Sequence, residues 1–444
     1  MRQAIAGRNA LGGVHPAGSA REALVQVLPA AALTIASVSA FAVSTRFGVA
    51  GTFLLTLLAS NAMPASVPVF LVCGFLFQNL IVAWFTPFVT NDIAFDALRG
   101  ANFVVLMTAY VAFAAASLQY RLRAIPQLRP WLLFSFVLSA TIGFYLLLGA
   151  AHGDARDAVV YFRNTITPVA CFHIAIVAAS LYPIDLRRSL RWFGAAIVLY
   201  GYCELIFTMG FLGLFHGDLY IERDIRRQIE TGYWEKTMHE TGFVLRGLKD
   251  VMMSDFFNTP IFGDIFPQVF RIGGPNFHPI SYAYALATLA AWLLFGGQWL
   301  LPLAALPLLL VIGSKGATFM LVVAILAKLA YRRIGSGPTL AGIVLVSFLW
   351  VAAAIGYGAT HGDYHVLGFL AGLHDFPTNP LGRGLGLGGN LSSTSLHVDW
   401  ERAQATGATS IPVESAVGVM LYQMGLASLV FFGFLAALAL AARR

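Results

Sequence analysis

WLLFSFVLSATIGFYLLLGA, residues 131–150, decides the fold: twenty residues without one Asp, Glu, Lys or Arg. Roughly 20 apolar residues in a helix cross the hydrocarbon core of a bilayer, so this stretch reads as a membrane span. Basic residues (Arg121, Arg123, Arg129) precede it and Asp154 follows it. Working outward, similar apolar stretches lie at 24–44, 47–62, 65–85, 101–119, 165–182, 192–215, 280–296, 299–313, 316–331, 338–359 and 413–441. Only Asn61 to Pro64 separate the second and third, which fits either two spans or a re-entrant hairpin. The first starts late and has no clear cleavage site, so it reads as a span and not as a cleaved leader. Of 444 residues, 58% are hydrophobic and 11% charged, with mean hydropathy +0.75; a soluble domain carries about 25% charged residues. That excludes a disordered chain and a polar-surfaced soluble enzyme. About a dozen spans would use ~240 residues. The expected fold is an all-α integral membrane protein of about 12 transmembrane helices, one polytopic domain over 1–444.

Charge placement sets the topology. With the N-terminus inside, alternate loops hold Arg2, Arg8 and Arg21; Arg121, Arg123 and Arg129; Arg187, Arg188 and Arg191; Lys328, Arg332 and Arg333; and Arg443 and Arg444. That side carries 14 of the 28 basic residues and two of the 21 acidic ones (Glu22 and Asp185), a balance of +12 against −5 for the rest of the chain. Positive-inside bias puts both termini in the cytoplasm. The net +7 then anchors topology, and nucleic acid is not an expected partner. Cys73, Cys171 and Cys203 all lie in apolar runs, which argues against a disulfide framework or a thiolate metal cluster. Two loops are long, 216–279 and 360–412, and both fall outside, on the periplasmic face of a Gram-negative inner membrane. No ATP is available there, so chemistry on that face needs an already activated substrate.

The first long loop opens with LYIERDIRRQIETGYWEKTMHE. Tyr220, Ile221, Ile225 and Ile229 recur at helical spacing between charges, as in an interfacial helix on the bilayer or a solvated helix capping the bundle. It ends in RIGGPNFHPISYAYALA, where Arg271 precedes Gly273 and Gly274. Glycines beside an Arg let the backbone approach an anion; Arg271 reads equally as a headgroup anchor. His278 sits at the same interface. Arg163, in DARDAVVYFRNTIT, lies at the mouth of the sixth span and fits diphosphate binding or interface anchoring. GSKGAT holds Lys315 in a tight outer turn and lacks Walker spacing.

The second long loop contains HGDYHVLGFLAGLHDFPTNPLGRGLGLGGN. His361, Asp363 and His365 alternate, a weak metal signal without a further carboxylate; no metal and no other cofactor is expected. GRGLGLGG does not follow a strand of a βαβ unit, so it is not a dinucleotide fingerprint. With Arg383 it reads as a pliable wall around an anionic or sugar ligand, and Trp400 and Tyr364 as stacking surfaces or interface packing. Glu414, after SIPV, opens the last span and fits a general base or a hydrogen bond to an acceptor hydroxyl. Glu204 and His173 are the clearest intramembrane polar residues and read as helix-to-helix contacts.

Four pieces in order resemble the O-antigen polymerase and ligase superfamily, in particular its exopolysaccharide (Wzy-type) repeat-unit polymerases: YFRNTITP, RIGGPNFHPISYAYALA, GSKGAT, and NPLGRGLGLGG followed by ESAVGVMLYQMGLASLVFFG. They cover roughly residues 155 to 435; the first five spans are only generically hydrophobic. The resemblance implies a bundle like the multispan (GT-C-like) glycosyltransferases, acting on an undecaprenyl-diphosphate-linked glycan donor and a glycan acceptor at the periplasmic face. Carried over, Arg163 and Arg271 hold the diphosphate, with Lys315 and Arg383 as further cations. Such cations stabilise the departing diphosphate without a metal, and the acceptor hydroxyl inverts the anomeric carbon in one displacement. Glu414 is the first candidate base, with His278 and His397 behind it. The family turn at Lys315 commonly carries Arg. Ligases commonly carry His near the start of the last helix, where this chain has Glu414, which favours a polymerase. A chain-length regulator and a flippase are partners implied only by the resemblance. The alternatives are a ligase onto lipid or protein, a secondary transporter, which would concentrate polar groups at the midplane in broken helices, and a non-catalytic scaffold.

Overall fold

A computed structural model describes residues 20–118, 125–182, 184, 186–230, 248–259, 265–266, 268–393, 395, 398–407 and 409–443. In chain order the helices are α1 (Ala20–Val43), α2 (Thr45–Ala62), α3 (Val67–Phe85), α4 (Asp92–Arg99), α5 (Ala101–Ser117), α6 (Arg129–His152), α7 (Ala155–Leu181), α8 (Arg187–Leu214) and α9 (Gly217–Glu230). After a two-residue antiparallel pair, β1 (Met253–Ser254) and β2 (Val269–Phe270), come α10 (Pro279–Phe295), α11 (Leu300–Ile312), α12 (Lys315–Ile334) and α13 (Ser336–His361). The chain closes with α14 (Tyr364–Asp375), α15 (Trp400–Thr406), α16 (Ala416–Met424) and α17 (Leu426–Arg443). The described chain is thus all-α but for that one pair.

Each apolar stretch of the sequence is helical over most of its described residues. Six helices are long and apolar enough to cross a membrane: α6, α7, α8, α13, Leu24–Val43 within α1 and Pro64–Phe88 around α3. The bent pair α4–α5, at 41°, makes a seventh if it is one span. Helices α10, α11 and α17 are apolar but shorter. The surface is that of a protein solvated by lipid. In α2 the small or polar Gly48, Thr52, Thr56 and Ser60 face inward, while Phe47, Phe53, Leu54 and Leu58 are exposed. Small residues inside and large apolar ones outside is the pattern of helices packing within a bilayer.

The chain divides into two compact units, one of Met1–Ala116 with Ile174–Leu340, the other of Ser117–His173 with Ala341–Arg444. In the first, α10 packs against α8, α11 and α12, and Tyr282 is fully buried with its hydroxyl donating to Ile197 O at 2.6 Å. Lys328, a topology anchor in the sequence, is buried in α12, where its ammonium bonds the Leu294 carbonyl near the end of α10. Helix α9 forms over the expected segment, but its apolar face meets protein and not a bilayer surface: Tyr220 packs on Phe95 and Phe277, at 5.3 and 5.1 Å between ring centroids. The Ile229 side chain lies outside the described residues.

In the second unit Trp131, Phe134 and Phe172 surround Phe434 with centroids 5.0 to 6.3 Å away. His173 is buried and its Nδ1 lies 2.8 Å from the Ser135 hydroxyl, the helix-to-helix contact its sequence position suggests. The expected last span, 413–441, is not continuous. Gly425 (φ 53°, ψ −131°) breaks it into α16 and α17, because the 380–384 segment runs against the break and Leu426 N donates to Pro380 O at 2.8 Å.

Candidate functional site

In the first unit, β2 delivers the chain to Arg271, whose backbone N–H donates to Met252 O at 2.7 Å. Gly273 and Gly274 follow, and Gly274 sits at φ 64° over the Tyr282 ring, where a Cβ would collide. Their two N–H groups point at one anion. That anion is the fully buried carboxylate of Glu204 on α8, whose Oε1 accepts from Gly273 N and Oε2 from Gly274 N, both at 2.8 Å. Successive N–H groups of this kind form an anion-binding concavity. The expectation that the glycines open the backbone to an anion is met by the protein's own side chain.

Arg271 itself is differently placed. It is half-buried, and its Nε donates to Ile312 O at 3.0 Å. Burial pushes its pKa down; a guanidinium still stays charged. Its two terminal nitrogens have no partner among the described residues. Ile312 ends α11, Gly313 (φ 74°) turns the chain close against Asn258, and Lys315 opens α12 with its side chain exposed. Tertiary structure therefore brings Arg271 to the turn that carries Lys315. His278 is exposed and caps α10, its Nδ1 accepting from Ser281 N at 3.2 Å. The cap engages one ring nitrogen.

In the second unit the run 380–389 is not a pliable wall. It is a strap held from both sides. Arg383 N and Gly384 N donate to Tyr422 O and Gln423 O at the end of α16, Leu385 N donates to Tyr145 O, and Gly389 N to Pro412 O. Helix ends leave carbonyls without intrahelical partners, and the strap supplies donors for them. Gly382, Gly384, Gly386, Gly388 and Gly389 all have positive φ. A Cβ at Gly386 would sit 2.5 Å from Ala158 N, so glycine is required by close approach as well as by conformation. Asp157, nearly buried on α7, fastens the end of the strap: Oδ2 accepts from Ser393 N at 2.7 Å and from the Ser392 and Ser393 hydroxyls at 3.2 and 2.8 Å.

Arg383 points its fork at Asp375, with Nη2–Oδ1 at 2.6 Å and Nε–Oδ2 at 3.1 Å, and lies over the Tyr422 ring at 4.9 Å. The hydrogen bond to Asp375 raises its pKa. Any incoming anion would compete with a bidentate carboxylate already in place. Arg163 is half-buried on α7, with its carbonyl accepting from the Thr167 hydroxyl at 2.6 Å. His397 lies outside the described residues, as does the side chain of Trp400, whose backbone opens α15.

Glu414 has an exposed side chain and φ 58°, a strained conformation for a non-glycine residue. The next residue, Ser415, caps α16. Facing Glu414 is His365. Its Nδ1 lies 2.6 Å from the Glu414 carbonyl and 3.9 Å from Oε2. A carbonyl only accepts, so Nδ1 carries the proton and Nε2 holds the lone pair whenever the ring is neutral. The three alternating residues seen in the sequence part ways: His361 stacks on Tyr357 at 3.9 Å, Asp363 caps α14, and His365 reaches Glu414. No group of three His, Cys, Asp or Glu among the described residues is arranged to hold a metal.

Three participants escape local reading. Glu204 is flagged by a carboxylate in an apolar run, but its glycine partners lie 69 and 70 residues away. His365 and Glu414 are 49 apart, and Asp157 and Ser393 are 236 apart. No family model, no curated protein and no solved structure matches this chain.

Proposed function

We propose that the protein is a glycosyltransferase of the bacterial inner membrane, with about 12 spans and both termini cytoplasmic, that polymerises undecaprenyl-diphosphate-linked repeat units at the periplasmic face. The observation that carries this reading is Arg271: a half-buried guanidinium with its terminal nitrogens uncommitted among the described residues, on a turn made rigid by Glu204 and next to the turn of Lys315. A desolvated cation of that kind suits a phosphate oxygen better than an exposed one. In this account Arg271 and Lys315 hold the diphosphate. A general base takes the proton of the acceptor hydroxyl. The hydroxyl oxygen bonds the anomeric carbon as the bond to the diphosphate oxygen breaks. The electron pair goes to the diphosphate, where the cations stabilise it, and the carbon inverts.

One observation favours a second reading. A ligase is expected to carry His at the start of the last helix, and His365 stands against Glu414 there although the sequence places it far away. The same chemistry would then deliver finished glycan to a lipid or protein acceptor.

Deleting the gene and sizing surface and lipid-linked glycans separates these. The proposal expects single repeat units on the carrier and no polymer, restored by the wild-type chain. Full-length polymer persisting on the carrier supports a ligase, and unchanged glycan sizes contradict both.

A further inference from the structure

A cleft of about 530 Å³ opens in the first unit between the segment that follows α3 and helix α9. It is lined on one side by Thr86, Pro87 and the run from Val89 to Asp92, and on the other by Leu219, Glu222, Arg223 and Arg226. Its size falls in the ~300–1,000 Å³ range of small-ligand sites. None of these residues belongs to the cation set or to the His365–Glu414 pair.

The lining is preorganised. Arg223 is only 15% exposed; its Nε donates to Asp92 Oδ1 at 3.0 Å, its Nη1 to Val89 O at 2.6 Å, and its guanidinium lies over the Phe95 ring at 4.9 Å. Asn91 caps α4, its Oδ1 accepting from Ala94 N at 2.7 Å. Arg226 pairs with Glu222 at 3.1 Å. Each anchored group keeps an unused function among the described residues: Nη2 of Arg223, Oδ2 of Asp92 and Nδ2 of Asn91. Fixed donors thus alternate with a fixed acceptor, and little ordering is left for a ligand to impose.

The charge balance selects the ligand. Two arginines face two carboxylates, so the walls are neutral, which disfavours a diphosphate or another polyanion. The charged rim disfavours an acyl chain. A zwitterionic headgroup would bring two acyl chains, and the apolar lining is confined to Pro87, Val89 and Leu219. A neutral polyhydroxylated ring fits all of these: its hydroxyls both donate and accept, and its C–H face suits short apolar patches. The geometry points to a binding site for a short neutral stretch of glycan in the α3–α9 cleft. This site does not rest on the transfer reaction, since it would serve a polymerase, a ligase or a carrier of glycan alike.

Saturation-transfer NMR on the full-length protein in phosphatidylcholine nanodiscs, free of sugar-based detergent, tests it. The probes are a panel of neutral methyl glycosides and short oligosaccharides, with inorganic diphosphate and phosphoethanolamine as controls. At least one neutral saccharide should receive saturation, and Asp92→Asn should weaken it at least tenfold. Thr90→Trp, which fills the cleft from an exposed loop position, should abolish it while thermal unfolding stays unchanged. No saccharide signal from folded wild-type protein overturns the site. So does a signal that survives Thr90→Trp, or binding of either control that the same variants remove. Because the readout is binding, it keeps its meaning whether or not the chain transfers glycan.

Discussion

Residues 271–274 and 380–389 both set an arginine among glycines, and the structure uses them in opposite ways. In the first, the two glycine N–H groups are taken by Glu204 and the arginine fork is left uncommitted among the described residues. In the second, the glycine backbone is wedged between helices and the arginine fork is filled by Asp375. The sequence pattern marks only a place where backbone must come close to something. Which group does the approaching, and which is left for a ligand, is decided by where the nearest carboxylate lands. An arginine beside glycines is therefore informative for binding only after its internal partner has been excluded.

The largest expected effect breaks the strap. Gly386→Val puts a branched side chain at φ 87° against the Ala158 backbone. It should cost more than about 4 kcal/mol, in the range of severe core disruptions, and protein should fail to accumulate in membranes by immunoblot. Glu204→Ala comes next. It orphans two buried N–H groups at about 1–3 kcal/mol each, and should lower the unfolding midpoint of purified protein far more than Glu204→Gln, which keeps an acceptor for one of them. If Glu204→Ala unfolds like wild type, the clamp on the Arg271 turn is not what holds it.

Smaller effects sharpen the contrast between the arginines. A double-mutant cycle on Arg383 and Asp375 should give a coupling of about 1 kcal/mol in stability, as for a good but partly exposed pair. Arg271→Ala should cost about 1 kcal/mol of stability, the net worth of its one hydrogen bond to Ile312 O. The smallest stability effect is expected at His365: His365→Ala should change the stability by less than about 0.5 kcal/mol, since the ring is exposed. A stability loss equal to that of Asp375→Ala would instead make His365 a helix-end clasp.

Much of the fold is legible from the apolar runs, because burying or lipid-facing some twenty residues fixes a helix whatever surrounds it. Asn91, Asp363 and Ser415 cap helices as their types suggest. The break at Gly425 is not legible, since nothing local to 413–441 reports that Pro380 and Gly382 will press on it. The α9 segment was readable as an amphipathic helix, but not that Phe95 and Phe277 would cover it. For the candidate site, Arg271, Lys315 and Glu414 could be picked out by charge at the ends of apolar runs. The partners that give them meaning, Glu204 and His365, are set by pairings many residues apart that only tertiary packing creates.

The central claim is that Arg271 acts on a ligand while Arg383 acts on the fold. The most direct test complements a deletion strain with Arg271→Ala and, separately, with the charge-neutral double variant Arg383→Met/Asp375→Leu, and sizes the glycans at matched membrane levels. The account predicts no polymer from Arg271→Ala and polymer of wild-type length from the double variant. Polymer from the first and none from the second would contradict it.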